Sequence, residues 1–228
     1  MHSAALIRAL RKALRDAADP AKAPSMQAYM KSEMPYLGVQ APGLRQASKA
    51  VFKTHPLDSF TAWRDTALKL WRGAKYREER YAAIELSGFP AYRKFQTLDA
   101  LPIYEEMIVT GAWWDFVDAV ASHRIGGLLR RYPGEMSTIL REWAISEDMW
   151  KRRAAIIAQL GFKAQTDRKL LRDCIAPSMA STEFFLRKAI GWALRDYART
   201  DAQHVIAFVR RHETKLSGLS KREALKNC

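Results

Sequence analysis

Apolar residues return at three- and four-residue intervals along nearly the whole chain. Trp113, Val117 and Val120 follow i, i+4, i+7 and form one stripe, and Phe185, Ala189 and Trp192 form another with the same spacing. No stretch sustains the period-two alternation of β-branched and aromatic residues that marks a sheet. The pattern predicts an all-α fold. Thr200-Asp-Ala-Gln203 and Ser220-Lys-Arg-Glu223 read as capping boxes, Pro42 suits a first helical turn, and Ser146, Thr166 and Ser181 each precede an apolar-periodic run. Breaks fall at Pro20, Pro24, Pro35, Gly43, Pro56, Pro90, Pro102, Gly111, Pro133 and Pro177. Helices of ordinary length between them number about a dozen.

Beneath this lies a degenerate repeat. Ala83-Ile84, Ala119-Val120, Ala155-Ile156 and Ala189-Ile190 are separated by steps of 36, 36 and 34 residues, and five positions before each alanine stand Glu78, Trp114, Trp150 and Phe184. A period of this length, filled by two helices per unit, predicts an α-solenoid of the HEAT or TPR type with a concave surface. No linker divides residues 1–228, so a single domain is expected.

Composition narrows the class. Hydrophobic residues make up 48% of the 228 positions, too many for a disordered chain. No run approaches the roughly 18 uninterrupted apolar residues of a membrane span. The N-terminal stretch through Lys12 is amphipathic and basic, without an unbroken apolar core or a cleavage site, so no export is expected. Cys174 and Cys228 belong to no C-x-x-C spacing, which disfavours a disulfide framework or a cysteine-rich zinc site and fits a reducing cytoplasm. Lys and Arg number 38 against 24 Asp and Glu, a formal charge of +14. Such an excess favours a polyanionic partner, nucleic acid above a membrane surface, because the cations are spread over many segments. His2, His55, His123, His204 and His212 show no paired-ligand spacing, and neither a G-x-G-x-x-G nor a Walker loop occurs, so no metal or nucleotide cofactor is expected.

The chemistry concentrates in Trp113-Trp114-Asp115-Phe116-Val117-Asp118. Residues four apart share a helix face, so Trp114 and Asp118 set an aromatic plane beside a carboxylate. In the repeat frame Asp118 shares a column with Ala82, Ala154 and Lys188, and Arg153 comes immediately before that column. Trp114, Asp118, Arg153 and Trp192 are thus expected on one concave wall. Each has a plainer reading: Asp118 paired with an arginine, Arg153 solvated, Trp114 filling a gap between repeats, and Trp192 in the core.

Four blocks carry a resemblance. They are Tyr29-Met30-Lys31 with Pro35-Tyr36-Leu37-Gly38-Val39-Gln40-Ala41-Pro42 and Arg45; Trp113-Trp114-Asp115-x-Val117-Asp118; Trp150-x-x-Arg153-Ala154-Ala155-Ile156; and Phe184-Phe185-x-x-Lys188-Ala189-Ile190-Gly191-Trp192-x-Leu194-Arg195-x-Tyr197-Ala198. With Leu219-Ser220-Lys221-Arg222-Glu223-Ala224, they span almost the whole chain, which resembles the AlkD family of HEAT-like DNA alkylation repair glycosylases. The resemblance implies a glycosylase that removes cationic alkylated purines, of the N3-methyladenine and N7-methylguanine type, from double-stranded DNA without deep base flipping; no lysine stands out as a Schiff-base former, so a monofunctional enzyme is expected, and a monomer with no cofactor. It implies that Trp114, Asp118, Arg153 and Trp192 are the functional positions, with Asp118 as the catalytic carboxylate and Arg153 suited to a phosphate. It also implies a DNA-facing surface with Tyr29, Lys188 and Arg195. The competing expectation is a non-catalytic HEAT-like scaffold for nucleic acid or protein.

Overall fold

A computed structural model describes residues 2–228. Among them fourteen α-helices and several single 3-10 turns alternate with short loops, and no strand occurs. The described chain divides into two compact units, residues 2–103 and 104–228.

The first unit holds α1 (His2–Asp16), α2 (Ala23–Met30), α3 (Ala41–Thr54), α4 (Phe60–Arg72) and α5 (Arg77–Ser87). Helix α1 packs on α3 and α4, and α5 closes against both of those. Its core is dense in large side chains: Leu6, Leu10, Leu14, Trp63, Leu70 and Trp71 are all within 1% of complete burial, each contributing roughly 1.5–3 kcal/mol of transfer free energy. Glu78 is fully buried at the start of α5. It is satisfied by the backbone N–H groups of Leu37, Gly38 and Val39, all donating to Oε1 at 2.9–3.1 Å, so it ties the Pro35–Pro42 loop to the helix. Gly38 is required there: its φ is +85°, and a Cβ would lie 2.0 Å from the Asp19 carbonyl oxygen.

Helix α6 (Leu101–Gly111) spans the boundary. The second unit continues with α7 (Trp114–Ala119), a π-helical turn (Val120–Ile125), α8 (Gly126–Arg131), α9 (Pro133–Ala144), α10 (Met149–Ile157), α11 (Arg168–Ile175), α12 (Phe184–Ala198), α13 (Ala202–Arg211) and α14 (Gly218–Ala224). Helix α10 packs on α7, α9 and α12, and α12 on α14. The four repeat pairs lie on α5, at the end of α7, on α10 and on α12. All eight residues are buried except Ala119, which is half-buried. The 34–36-residue period is therefore the spacing of successive core-facing helices.

Several start signals move by one to three residues. Asp201, not Thr200, caps α13 by accepting from the His204 N–H at 2.9 Å. Ser217, not Ser220, caps α14, and the Glu223 carboxylate serves other partners. Asp148 and Asp167 cap α10 and α11 in place of Ser146 and Thr166, and Glu183 precedes α12 without a side-chain cap. In each capped case a side-chain oxygen nearer the first free N–H groups takes them. Pro42 does lie in the first turn of α3, whereas Pro24, Pro102 and Pro133 lie in first turns and not between helices.

Candidate active site

Asp118 lies near the end of α7, a helix of only six residues. The chain enters it through Ala112, which adopts a left-handed φ of 44°, and through the extended Trp113. It leaves through the π-helical turn, where the Gly126 N–H reaches back five residues to the Ala121 carbonyl. Ser122 Oγ donates to the Asp118 carbonyl at 2.6 Å. The widened turn brings Gly126 so close to the end of α10 that a Cβ would lie 2.6 Å from the Ala158 carbonyl oxygen. Hydrophobic periodicity carries no sign of this turn.

Arg153 organises the site. Its Nε and Nη2 donate to Oδ1 and Oδ2 of Asp118, at 2.7 Å each, and its Nη1 donates to the Phe185 carbonyl at 2.6 Å. A single guanidinium thus links α7, α10 and α12, three successive core-facing helices. The Asp148 cap begins α10 one turn ahead of Arg153. The pair is well covered, with the Arg153 side chain 5% and the Asp118 side chain 14% exposed. Burial pushes the Asp118 carboxyl above the ordinary aspartate range, the Arg153 hydrogen bonds and charge pull against that rise, and Asp115 adds to it.

Aromatic side chains back the guanidinium. The Trp113 ring lies 5.4 Å from that of Phe185 and 6.3 Å from that of Trp150, and Arg153 lies 5.8 Å from the Phe185 centroid. Val117 and Val120 of the expected stripe are fully buried, and Trp113 half-buried. Trp114 and Trp192 are also half-buried. For Trp192 this departs from the core position that periodicity suggests: of Phe185, Ala189 and Trp192, only Ala189 is fully buried. Trp192 instead lines a cavity of about 350 Å³ with Arg195, Asp196, Arg199, Lys226 and Asn227.

The phosphate contact expected of Arg153 meets a guanidinium that is already engaged and 4% exposed. The expected DNA-facing cations Lys188 and Arg195 converge on Glu223, at 3.4 and 2.6 Å, and Lys226 joins them at 2.8 Å. The Lys226 hydrogen bond, with the charges of Lys226 and Lys188, holds Glu223 below the usual carboxylate range against the opposing effect of burial. Glu223 was hidden in the sequence by its place in an apparent capping box. Tyr29, in the first unit, is 76% exposed. Among the described residues, no cluster of three His, Cys, Asp or Glu side chains is placed to hold a metal ion, and no helix is long and apolar enough to cross a membrane.

Comparison with known proteins adds the family. Residues 10–228 match the model of the DNA alkylation repair enzyme family. The fold is similar to that of a predicted DNA alkylation repair enzyme from Enterococcus faecalis, with a TM-score of 0.79 and 31% identity over 92% of this chain and 95% of that one. It is also similar to AlkD2 from Streptococcus mutans (TM-score 0.62, 16% identity, 89% of this chain and 97% of that one) and to smu.31 from Streptococcus mutans UA159 (TM-score 0.61, 17% identity, 81% and 91%). Comparison with curated protein sequences finds no match. A match over nearly the whole chain, joined to an all-helical repeat fold, means that the protein belongs to the DNA alkylation repair enzyme family.

Proposed function

We propose that the protein is a DNA glycosylase that hydrolyses the N-glycosidic bond of cationic alkylated purines in duplex DNA, with Asp118 stabilising the transition state. The observation that carries this reading is the half-buried Asp118 carboxylate, held in both of its oxygens by Arg153. Alkylation at N3 or N7 makes a purine a cationic leaving group. As the bond breaks, positive charge develops around C1′ of the deoxyribose, and a fixed carboxylate beside it lowers the barrier. At about 4 Å and an effective dielectric near 20, a unit pair is worth roughly 4 kcal/mol, on the order of a thousandfold in rate before the opposing field of Arg153 is counted.

Arg153 lowers that field, yet it has two effects that catalysis needs. It opposes the desolvation that would otherwise protonate the carboxylate, and it fixes the plane in which the remaining oxygen lone pairs lie. Those lone pairs are directed to the sugar and to the attacking water. Arg153 is thus a positioning residue. The half-buried faces of Trp114 and Trp192 supply cation–π stabilisation, up to about 2 kcal/mol where water is excluded. Neutral lesions, whose departure requires protonation of the base, are poor substrates. The proposed reaction is simple hydrolysis without strand cleavage. Single-turnover release of N7-methylguanine and N3-methyladenine from methylated duplex DNA, by the protein and by an Asp118→Asn variant, tests the reading.

A further inference from the structure

The first unit contains a second concavity, formed by α2, α3, α5 and the loop before α3. It has a volume of about 300 Å³ and its lining is mostly apolar, with Met26, Met30, Tyr29, Tyr36 and Tyr81 among the side chains. The Tyr36 and Tyr81 hydroxyls share a hydrogen bond of 2.8 Å, which fixes both rings. A single carboxylate, that of Glu85, lines the same space.

Glu85 is the unusual member. Helix α5 carries three glutamates: Glu78 takes the N–H groups of the Pro35–Pro42 loop, and Glu79 pairs with Arg11 at 2.9 Å. Glu85 is half-buried, yet its carboxylate has neither a hydrogen bond nor an ion pair among the described residues. The cavity gives that carboxylate no donor of its own, so a ligand offering N–H groups would supply them there. Arg45, an exposed side chain of α3 that also lines the cavity, is likewise without a partner among the described residues.

We propose that this cavity holds a guanine base. A carboxylate accepts two parallel N–H bonds, and guanine alone of the four DNA bases carries two adjacent donors, N1–H and N2–H, on one edge. Its other edge presents O6 and N7 as acceptors, which suit the fork of Arg45. Tyrosine rings and methionine thioethers cover the faces of a flat heterocycle. The volume lies at the small end of ligand sites and suits one base. An N7-alkylated guanine fits worse, because it loses the N7 acceptor and brings positive charge toward Arg45 and toward Arg77, whose guanidinium lies 6.0 Å from the Tyr81 centroid. The site therefore takes undamaged guanine and is separate from the Asp118 site. A guanine supplied by a DNA strand rests on the proposed DNA-binding function; a free guanine nucleoside does not.

The test uses the full chain in two arms. Equilibrium dialysis measures 2′-deoxyguanosine, 2′-deoxyinosine and 2′-deoxyadenosine, and fluorescence anisotropy measures single-stranded oligothymidylates with one central G or A. The expected order is deoxyguanosine, then deoxyinosine, which lacks the N2 amine, then deoxyadenosine, with about tenfold or more between first and last. The Glu85→Gln variant should abolish most of that preference, and Arg45→Ala should weaken deoxyguanosine several-fold, both with unchanged thermal transitions. Preference in both arms means that the free base suffices; preference only in the strand arm means that the guanine comes from nucleic acid. Equal affinity for G and A in both arms, or a G preference untouched in Glu85→Gln, overturns the proposal. The guanine preference is read by binding alone and the glycosylase reading by base release from the parent and from Asp118→Asn, so failure of this inference and failure of the glycosylase reading are told apart.

Discussion

Arg153 clasps both carboxylate oxygens of Asp118 at 2.7 Å across 35 positions of sequence, and does so with a side chain that is 5% exposed. The separation is one repeat. A staple of this kind needs no long loop, because the repeat brings residues one period apart into adjacent helices.

The first consequence is energetic. Removing one partner of a buried pair leaves the other charge uncompensated, so Arg153→Met should cost about 3–5 kcal/mol in urea denaturation. The Asp118→Asn and Arg153→Met changes together should cost less than the sum of the two alone, with a coupling of roughly 1–3 kcal/mol. Additive losses would mean that the pair contributes no mutual stabilisation.

The second concerns pH. In the proposed mechanism the ionised Asp118 is the active form, and burial raises its pKa above the ordinary aspartate value. Activity should therefore be present above the raised pKa and lost as pH falls through it, with the acid limb of the single-turnover rate above the ordinary aspartate range. Asp115 contributes to the rise, so Asp115→Asn should move the limb to lower pH. Arg153→Lys, which keeps charge but loses the two-pronged fit, should move it upward.

Helical periodicity and the 34–36-residue repeat carried most of the architecture, because they follow directly from which residues must be buried. The Ala-Ile pairs are buried where that reasoning puts them. Trp114 and Asp118 were legible as one helix face. The link from Asp118 to Arg153 was legible only as adjacent columns, since a charged side chain on a helix reads equally as solvated. The Glu78 nest, the π-helical turn after Asp118 and the convergence of three cations on Glu223 were not legible. They depend on backbone groups brought in from other elements, which no local pattern encodes.

Electrostatic roles separate by salt dependence. Arg195, with a side chain 28% exposed beside Trp192, should lower the slope of log affinity against log salt by about 1 when changed to Ala. Arg153→Ala should leave that slope unchanged, because its guanidinium is turned into the protein; equal losses for both would restore a phosphate contact to Arg153.

Helix packing next to the site has no slack. In Gly126→Ala the new methyl group would meet the Ala158 carbonyl oxygen at 2.6 Å, so α8 and α10 must separate, at about 1–3 kcal/mol. Calorimetry should show the loss, and base release should fall with it as the turn after Asp118 shifts. A thermal transition equal to that of the parent would show that the π-helical turn adjusts freely.

The most direct measurement is free-base release from methylated duplex DNA under single-turnover conditions with chelator present, separated by chromatography, for the parent protein and for Asp118→Asn. The account predicts release of N7-methylguanine or N3-methyladenine by the parent, a loss on the order of a thousandfold in the variant, and similar DNA affinity for both. Equal rates for the two, or tight DNA binding with no release by either, would contradict it.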